Sequence, residues 1–267
     1  RVESAWIRQA TLPAHDLDTA MRLFEEHGDA TYSVAWIDCL ADGASLGRSA
    51  LMLGEHAAAW ELPERRRADP FRTPRRKMIP VPFDAPSGLL NRVTVKAFNA
   101  AYYRVHARDR GTRLVDWDSY FYPLDALANW NRIYGGRGFL QFQCALPLAA
   151  SREGLGALLR AISASGQGSF LAVLKRLGAT QAGSFSFPME GYTLALDFPV
   201  SPQTLELMGR LDRIVIDHGG RFYLAKDSRM DARTLRRSDR RVAEFVARRK
   251  DLGAGAFQSS QSERLKL

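Results

Sequence analysis

Residues 138–163 read GFLQFQCALPLAASREGLGALLRAIS, and in this stretch a strand pattern runs directly into a helix pattern. Within Gly138–Pro147 the polar residues Gln141 and Gln143 alternate with bulky apolar ones, which is the two-residue period of a β-strand. From Ser151 to Ser163 the apolar residues recur every three or four positions, as on one face of an α-helix. The stretch predicts a strand followed at once by an amphipathic helix.

The same order occurs nearer the start of the chain. A strand pattern over 1–11, stopped by Pro13, precedes a helix that Asp16 caps and Gly28 ends. Further strands are predicted at 31–40, 49–54, 169–174, 184–188 and 192–199, and a further helix from Ser201 to about Asp217. Because strands often follow one another without a helix between them, we predict an α+β fold, an antiparallel sheet with helices packed on one face.

Residues 56–89 interrupt this pattern. They contain six of the 12 prolines and the arginine-rich run ERRRADPFRTPRRK, so we predict a long loop that closes over a site or is mobile. A helix is predicted over 91–108, and 108–113 is a second candidate for a mobile segment.

The composition is that of a folded domain. The chain has 267 residues, 46% of them hydrophobic and 25% charged, and no apolar run long enough to span a bilayer. It starts at Arg1 without a leader pattern, so we expect a piece of a longer protein. Cys39 and Cys144 lie in apolar strand-like contexts and are predicted to be free buried thiols, and the five histidines lack ligand spacing, so no metal site is expected.

Net charge of +9 leaves a nucleic-acid-binding function open. The charge is concentrated in residues 64–77, at +5, and 232–250, at +6. An arginine-rich α+β module without catalytic activity is therefore one alternative. Nucleic acid is nevertheless an unlikely partner, because the aromatic residues follow core spacings rather than an exposed stacking pattern.

Four longer motifs favour a function other than nucleic-acid binding. They are FYPLDALANWNRIYGGRGFLQFQ (121–143), ASGQGSFLAVLKRLG (164–178), SFPMEGYTLALDFP (186–199) and GGRFYLAKDSR (219–229). Together they closely resemble the C-terminal part of the decaprenylphosphoryl-β-D-ribose oxidases, which are FAD-linked oxidases of the vanillyl-alcohol oxidase type. The resemblance extends, with weaker stretches, over the whole chain.

The resemblance implies that the chain contributes to two domains with different roles. Residues 1–218 would form a substrate-binding cap domain, and 219–267 would complete an FAD-binding domain whose N-terminal part is absent from this chain. FAD would be bound mainly by that N-terminal domain, so the chain alone is expected to be inactive. The implied reaction is oxidation of a secondary alcohol of a sugar by hydride transfer to the flavin.

The resemblance also implies roles for individual residues. Lys226 matches the lysine beside flavin and substrate, where a fixed cation stabilises the charge of reduced flavin, and Tyr223 precedes it on the flavin side. Substrate-binding positions are implied for Lys175, Gln141, Gln143, Tyr103, Trp36 and Thr193.

The chain departs from the family pattern at several positions of the implied pocket. Thr193 and Ala195 replace an asparagine and a cysteine, Ala172 an asparagine and Leu177 a phenylalanine. The exact sugar therefore stays open. A lipid-linked sugar substrate, a reductase partner that completes an epimerisation, and a peripheral membrane contact through the arginine-bearing loop are further implications. The compartment, cytoplasmic or periplasmic, is left open.

Overall fold

The computed structural model describes residues 1–86, 88–108, 111–179, 183 and 185–267. The chain begins with strand β1 (Trp6–Ala14), helix α1 (Leu17–Glu26) and strands β2 (Tyr32–Ile37) and β3 (Ser49–His56). The predicted helix cap is confirmed, since the Asp16 side chain accepts a hydrogen bond from the N–H of Thr19. Strand β2 ends before the predicted Leu40, because the Asp38 carboxylate accepts the N–H of Leu40 and turns the backbone.

Strand β1 does not stop at Pro13, which corrects the sequence prediction. Pro13 pairs with Ala50 of β3 on one side of the strand. On the other side of β1, the neighbouring strand (112–116) pairs only with Trp6 to Ala10, so Pro13 has no strand partner there. Proline has no N–H to donate, and it is tolerated because this edge needs no donor.

The middle of the chain contains short elements and one long helix. In order they are α2 (Glu64–Arg67), β4 (Ile79–Pro80), α3 (Arg92–Arg108), β5 (Thr112–Asp116), α4 (Trp117–Phe121) and β6 (Leu127–Ala128). Helix α3 was predicted, whereas β5 was not. Residues 109–110, inside the second candidate mobile segment, lie outside the described residues. Gating or mobility of residues 56–89 stays a prediction.

The second half contains β7 (Phe139–Pro147), α5 (Leu148–Ser165), β8 (Ala172–Leu177), β9 (Gly191–Pro199) and α6 (Pro202–Asp217). Strand β8 starts three residues later than predicted, because the Ser169 hydroxyl bonds the backbone N–H and C=O of Leu171 in a local turn. No strand forms over 185–188, and Ser184 lies outside the described residues. Both sides of β9 are already paired, with β7 and β8, so that segment has no free edge there.

The remaining residues form β10 (Arg221–Phe222), α7 (Ala232–Ser238), α8 (Arg241–Asp251) and α9 (Ser260–Leu265). The eight strands of the main sheet follow the order β10-β7-β9-β8-β2-β3-β1-β5, and every pair is antiparallel. Strands β4 and β6 form a separate parallel pair. The predicted α+β fold with an antiparallel sheet is confirmed.

One apolar core lies between the sheet and helices α1, α5 and α6. It contains inward-facing residues of both halves, such as Leu51 and Ala35 from the first and Leu174 and Leu194 from the second. Helix α3 lies on the opposite face, where the Tyr102 and Trp36 rings are in tilted contact with centroids 4.5 Å apart. Helices α1, α5 and α6 therefore cover one face of the sheet, and α3 covers part of the other.

The C-terminal segment is attached to the same core. Strand β10 pairs with β7, and Leu235, Val242 and Leu265 are buried in the core cluster. The division between a cap domain ending at residue 218 and a flavin-domain segment beginning at 219 stays a prediction. Cys39 and Cys144 are both buried and free, as predicted. Within the described residues, no helix combines the length and apolarity needed to cross a bilayer.

Candidate active site

Five polar side chains of β7, β8 and β9 share the face of the sheet that points away from α5 and α6. Side chains alternate between faces along a strand, and Cys144, Leu174 and Leu194 lie in the helix-covered core. Their neighbours Gln143, Lys175 and Thr193 therefore lie on the opposite face. Gln141, two residues before Gln143, and Asp197, four residues after Thr193, lie on that face too.

Two cross-strand hydrogen bonds order this face. The Nε2 of Gln143 donates to the Oγ1 of Thr193 over 3.1 Å. The Nε2 of Gln141 donates to the Oδ1 of Asp197, its direct partner in the register, over 3.0 Å. Both glutamines thereby present their amide oxygens in a fixed orientation, which suits recognition of hydroxyl groups.

Lys226 is brought to the same region by the backbone that follows β10. The N–H of Tyr223 donates to the carbonyl of Gln143 over 3.0 Å, and a 3₁₀ turn then spans Leu224–Lys226. Burial raises the pKa of the Asp197 carboxyl, and the positive charge of Lys226 partly offsets that rise. Lys226 therefore lies within electrostatic range of Asp197, and the shared site stays a prediction.

A clamp that the sequence did not reveal holds this lysine turn. Asp227 Oδ1 accepts the N–H groups of Arg229 and Met230, and its Oδ2 accepts Arg264 Nη1 over 2.9 Å. Gln261 donates to the carbonyls of Leu224 and Asp227. Arg264 and Gln261 are on α9, about 35 residues away in the chain. No local pattern predicts such a contact.

Sequence reasoning also missed Asp197. It is only 4% exposed, and its Oδ2 has no hydrogen-bond partner among the described residues. Burial raises the pKa of its carboxyl, and the bond from Gln141 and the charge of Lys226 partly offset that effect. The available signal was a lone carboxylate in the apolar strand YTLALDFP, because a buried carboxylate is uncommon without a specific reason.

Trp36 and Tyr103 are placed apart from the glutamines. Trp36 pairs with Val173 of β8 in the register, but it is 5% exposed and lies beneath Tyr102 of α3. The neighbouring Tyr103 points instead to Arg48, whose guanidinium carbon is 5.1 Å from the ring centroid. In this arrangement α3 covers Trp36, and Tyr102 rather than Tyr103 is the aromatic neighbour of Trp36.

The ring of Tyr223 and the side chain of Lys175 differ in their surroundings. Tyr223 packs against Phe187, with ring centroids 4.7 Å apart. Lys175 is exposed and lies opposite Thr193 in the β8–β9 register. The structure therefore brings together Gln141, Gln143, Thr193 and Lys226, adds Asp197 to them, and leaves Lys175 at the accessible side.

Several arginines of the second basic cluster are used within the fold. Arg236 donates to the carbonyls of Leu265 and Lys266, and Arg249 donates to those of Ala254 and Leu267. The Arg241 side chain pairs with Asp239. These contacts consume guanidinium donors that a phosphate backbone would need, which weighs against the nucleic-acid alternative.

Comparison with known proteins supports the resemblance found in the sequence motifs. No protein family model matches the chain. Over 254 residues, 94% of this chain, it is 34% identical to decaprenylphosphoryl-beta-D-ribose oxidase of Mycolicibacterium smegmatis. The chain is related to decaprenylphosphoryl-β-D-ribose oxidase. The resemblance inferred from the sequence motifs is thereby confirmed.

This oxidase is longer than the matched region. The chain spans 55% of its length, and 60% of an uncharacterised protein of Streptomyces coelicolor that is 30% identical over 225 residues. Among solved structures, a chitooligosaccharide oxidase aligns with 93% of this chain and 53% of its own, with a TM-score of 0.47 and 14% identity. The oxidoreductase GilR aligns with 80% of this chain and 42% of its own, with a TM-score of 0.39 and 11% identity.

Proposed function

We propose that this chain is the substrate-domain portion of an FAD-dependent oxidoreductase that oxidises a secondary alcohol of a sugar. The observation that carries the proposal is the convergence of Lys226 with Gln141, Gln143 and Thr193 on the sheet face opposite α5 and α6. The 34% identity to a polyprenylphosphoryl-ribose oxidase supports the same reaction class. A polyprenyl-phosphate-linked pentose is the proposed substrate class.

The residues present suit a flavin. The ammonium of Lys226 supplies a fixed positive charge, and the Oδ2 of Asp197 has no hydrogen-bond partner among the residues that the structure describes, which supports a polar ligand in this region. Lys226 and Tyr223 would hold the edge of the ring system, while most contacts to FAD would come from a further, N-terminal domain. When bound, FAD supplies the hydride acceptor.

The remaining residues of the face would bind and orient the sugar. Gln141 and Gln143 already use one N–H each across the strands, so their amide oxygens remain for sugar hydroxyls. Thr193 is smaller than asparagine and offers a hydroxyl in place of an amide. This substitution alters which sugar hydroxyl is recognised without removing the polar character of the face.

A lipid-linked phosphate fits the charge of the neighbouring loops. Residues 64–77 carry a net charge of +5, and Phe71, Met78, Ile79 and Phe83 are exposed close to them in sequence. Arginine forks bind phosphate oxygens, and exposed apolar side chains bind a lipid chain or a membrane surface. We therefore include peripheral membrane contact, and a reductase partner that takes up the keto sugar, in the proposed function.

The test compares two lysines of the flavin-loaded protein. Lys226→Ala is expected to slow flavin reduction by the sugar by about 100-fold or more, because it removes a preorganised charge that acts as electrons arrive. Lys175→Ala is expected to act mainly on KM, because an exposed lysine contributes to substrate binding before and during the reaction alike. Anaerobic rapid mixing, with flavin absorbance as the signal, separates the two effects.

The exposed Lys250 on α8 provides the matched control, since Lys250→Ala removes the same charge away from the proposed site. It should leave both constants within about twofold, as for surface substitutions elsewhere. A Lys226→Ala protein that retains FAD and is reduced at the wild-type rate would refute the proposed role of this lysine.

A further inference from the structure

We propose that Asp197 is the base that takes the hydroxyl proton from the sugar during its oxidation. This role rests on the proposed function and extends it, because loss of a hydride from an alcohol carbon also requires an acceptor for the proton on oxygen. Lys226 and Lys175 do not fill that role as ammonium groups. The argument starts from which carboxylates the sheet offers.

The six long strands β7, β9, β8, β2, β3 and β1 contain two carboxylates, Glu55 and Asp197. Glu55 follows Gly54 and precedes His56 in β3, so it lies on the same side as the core residue Leu51. Both Glu55 carboxylate oxygens accept hydrogen bonds from Thr31. Asp197 is thus the carboxylate that these strands place on the polar face.

The hydrogen bonding of Asp197 leaves one oxygen for a proton. Gln141 donates to Oδ1 and fixes the carboxylate plane, while Oδ2 has no partner within the described part of the chain. The backbone N–H of Asp197 is also anchored, on the Ser169 hydroxyl over 3.2 Å. A base held by one oxygen and free at the other is the arrangement that general-base catalysis requires.

The groups that face Asp197 tune its proton affinity. Burial raises its pKa, while Lys226 and Gln141 keep that rise limited. Burial raises the pKa of the phenol of Tyr134, from the 3₁₀ turn Trp130–Tyr134, and the charge of Asp197 raises it further. The Tyr134 hydroxyl is likewise buried without a partner in the described residues, so it is available to the same proton or to a bound hydroxyl.

The proposed step balances in atoms and charge. The carbinol C–H bond would break with its electron pair leaving as hydride, for which bound FAD would supply the acceptor, while the O–H bond breaks and its proton goes to Asp197 Oδ2. The C–O bond becomes C=O, and the sugar leaves as a ketone. The protonated Asp197 then gives up its proton to water before the next turnover.

The experiment measures flavin reduction by the sugar against pH in the flavin-loaded protein. Wild-type reduction should slow at acid pH, because protonated Asp197 cannot accept a proton. In Asp197→Asn this acid limb should disappear and the rate at neutral pH should fall by about 100-fold or more, with the substrate dissociation constant nearly unchanged.

Asp212→Asn is the matched control. Asp212 is also a buried carboxylate, 6% exposed, with a pKa raised by burial, but it belongs to α6 and pairs with Arg229. Its replacement should keep the acid limb. If Asp197→Asn keeps the acid limb and a rate within about fivefold of wild type, Asp197 is not the base.

A second measurement does not depend on turnover. In the substrate-free protein carrying ¹³C-labelled aspartate carboxyls, the Asp197 resonance should titrate above the usual aspartate range. Its midpoint should move higher still in Lys226→Met, because the lysine charge lowers that pKa. An Asp197 that titrates normally and ignores Lys226 overturns the proposal. If no sugar reduces wild-type flavin, the proposed function fails and takes this role with it, whereas a normal rate in Asp197→Asn overturns the role alone.

Discussion

The two halves of the main sheet have the same architecture and different chemistry. Each consists of a strand, a helix and two more strands, with the strand order β1-β3-β2 in the first half and β7-β9-β8 in the second. They meet at β2 and β8, where Ala35 pairs with Leu174 and Trp36 with Val173. The half-sheets are therefore related by an approximate two-fold rotation.

The faces that point away from the shared core can be compared strand by strand. In the first half this face carries Val34 and Trp36 on β2 and Ile7, Gln9 and Thr11 on β1. In the second half it carries Lys175 on β8, Thr193 and Asp197 on β9, and Gln141 and Gln143 on β7. Both faces therefore contain polar residues, and the second half adds an exposed lysine and a buried carboxylate.

The comparison teaches that the outward-facing residues, and not the core, distinguish the two halves. In the first half, helix α3 lies over Trp36, which is buried in tilted contact with Tyr102. In the second half, the corresponding face holds Asp197, whose Oδ2 has no hydrogen-bond partner among the described residues.

The largest effect is expected from substitutions in the apolar core that the two halves share. Leu51→Ala in β3 and Leu194→Ala in β9 each remove a fully buried side chain from the common core. Each should lower the free energy of unfolding by about 2–5 kcal/mol, measured by denaturant titration. A loss confined to one of the two would show that the halves do not share one cooperative core.

A smaller effect, on KM, is expected from changing the outward-facing residue Lys175. Lys175→Val gives the outward face of β8 an apolar residue like Val34 of β2, and should raise KM about tenfold with little change in kcat, which corresponds to about 1.4 kcal/mol. Adding Val34→Lys, which places a lysine on β2 instead, should not restore binding. Steady-state kinetics of the single and double variants test this, and recovery in the double variant would contradict it.

The smallest expected effect is on how the stability of the protein changes with pH. Burial raises the pKa of Asp197 above its usual 3.8, so the folded protein holds this proton more tightly than the unfolded chain. Wild-type stability should therefore decline, relative to Asp197→Asn, as pH rises from below 3.8 through the raised pKa.

Asp231 provides the opposite sign. This residue caps α7 and the N–H of Thr234 lowers its pKa, so wild type should gain stability relative to Asp231→Asn as pH rises. Thermal melts at acid and neutral pH compare the two variants. Parallel pH trends in both would show that the burial of Asp197 does not act as described.

The sequence predicted what depends on near neighbours in the chain. The Asp16 cap, the helix over 92–108 and the alternation that places Gln141 and Gln143 on one face all follow from residues within a few positions. Features set by distant partners escaped it. Strand β1 continues through Pro13 only because β5 stops pairing at Ala10, and neither fact is visible locally.

The candidate site shows the same limit. The role predicted for Lys226 came from its motif, but its clamp by Arg264 depends on the packing of α9. Asp197 drew no attention in the sequence because its strand reads as an ordinary apolar one, and its Oδ2 is seen to lack a partner among the described residues only in three dimensions. Which of the adjacent tyrosines meets Trp36 is likewise set by the rotation of α3 against the sheet, and Tyr102 is the one that does.

The junction between β2 and β8 has a mechanical consequence. Only two residue pairs join these strands, whereas nine join β7 to β9 and eight join β1 to β3. Tension applied across the sheet would therefore concentrate at its midline, where little backbone resists separation. There the continuity of the molecule rests on apolar side chains from both halves, so the midline is easier to deform than either three-stranded half, and it lies beside the face proposed to hold the substrate.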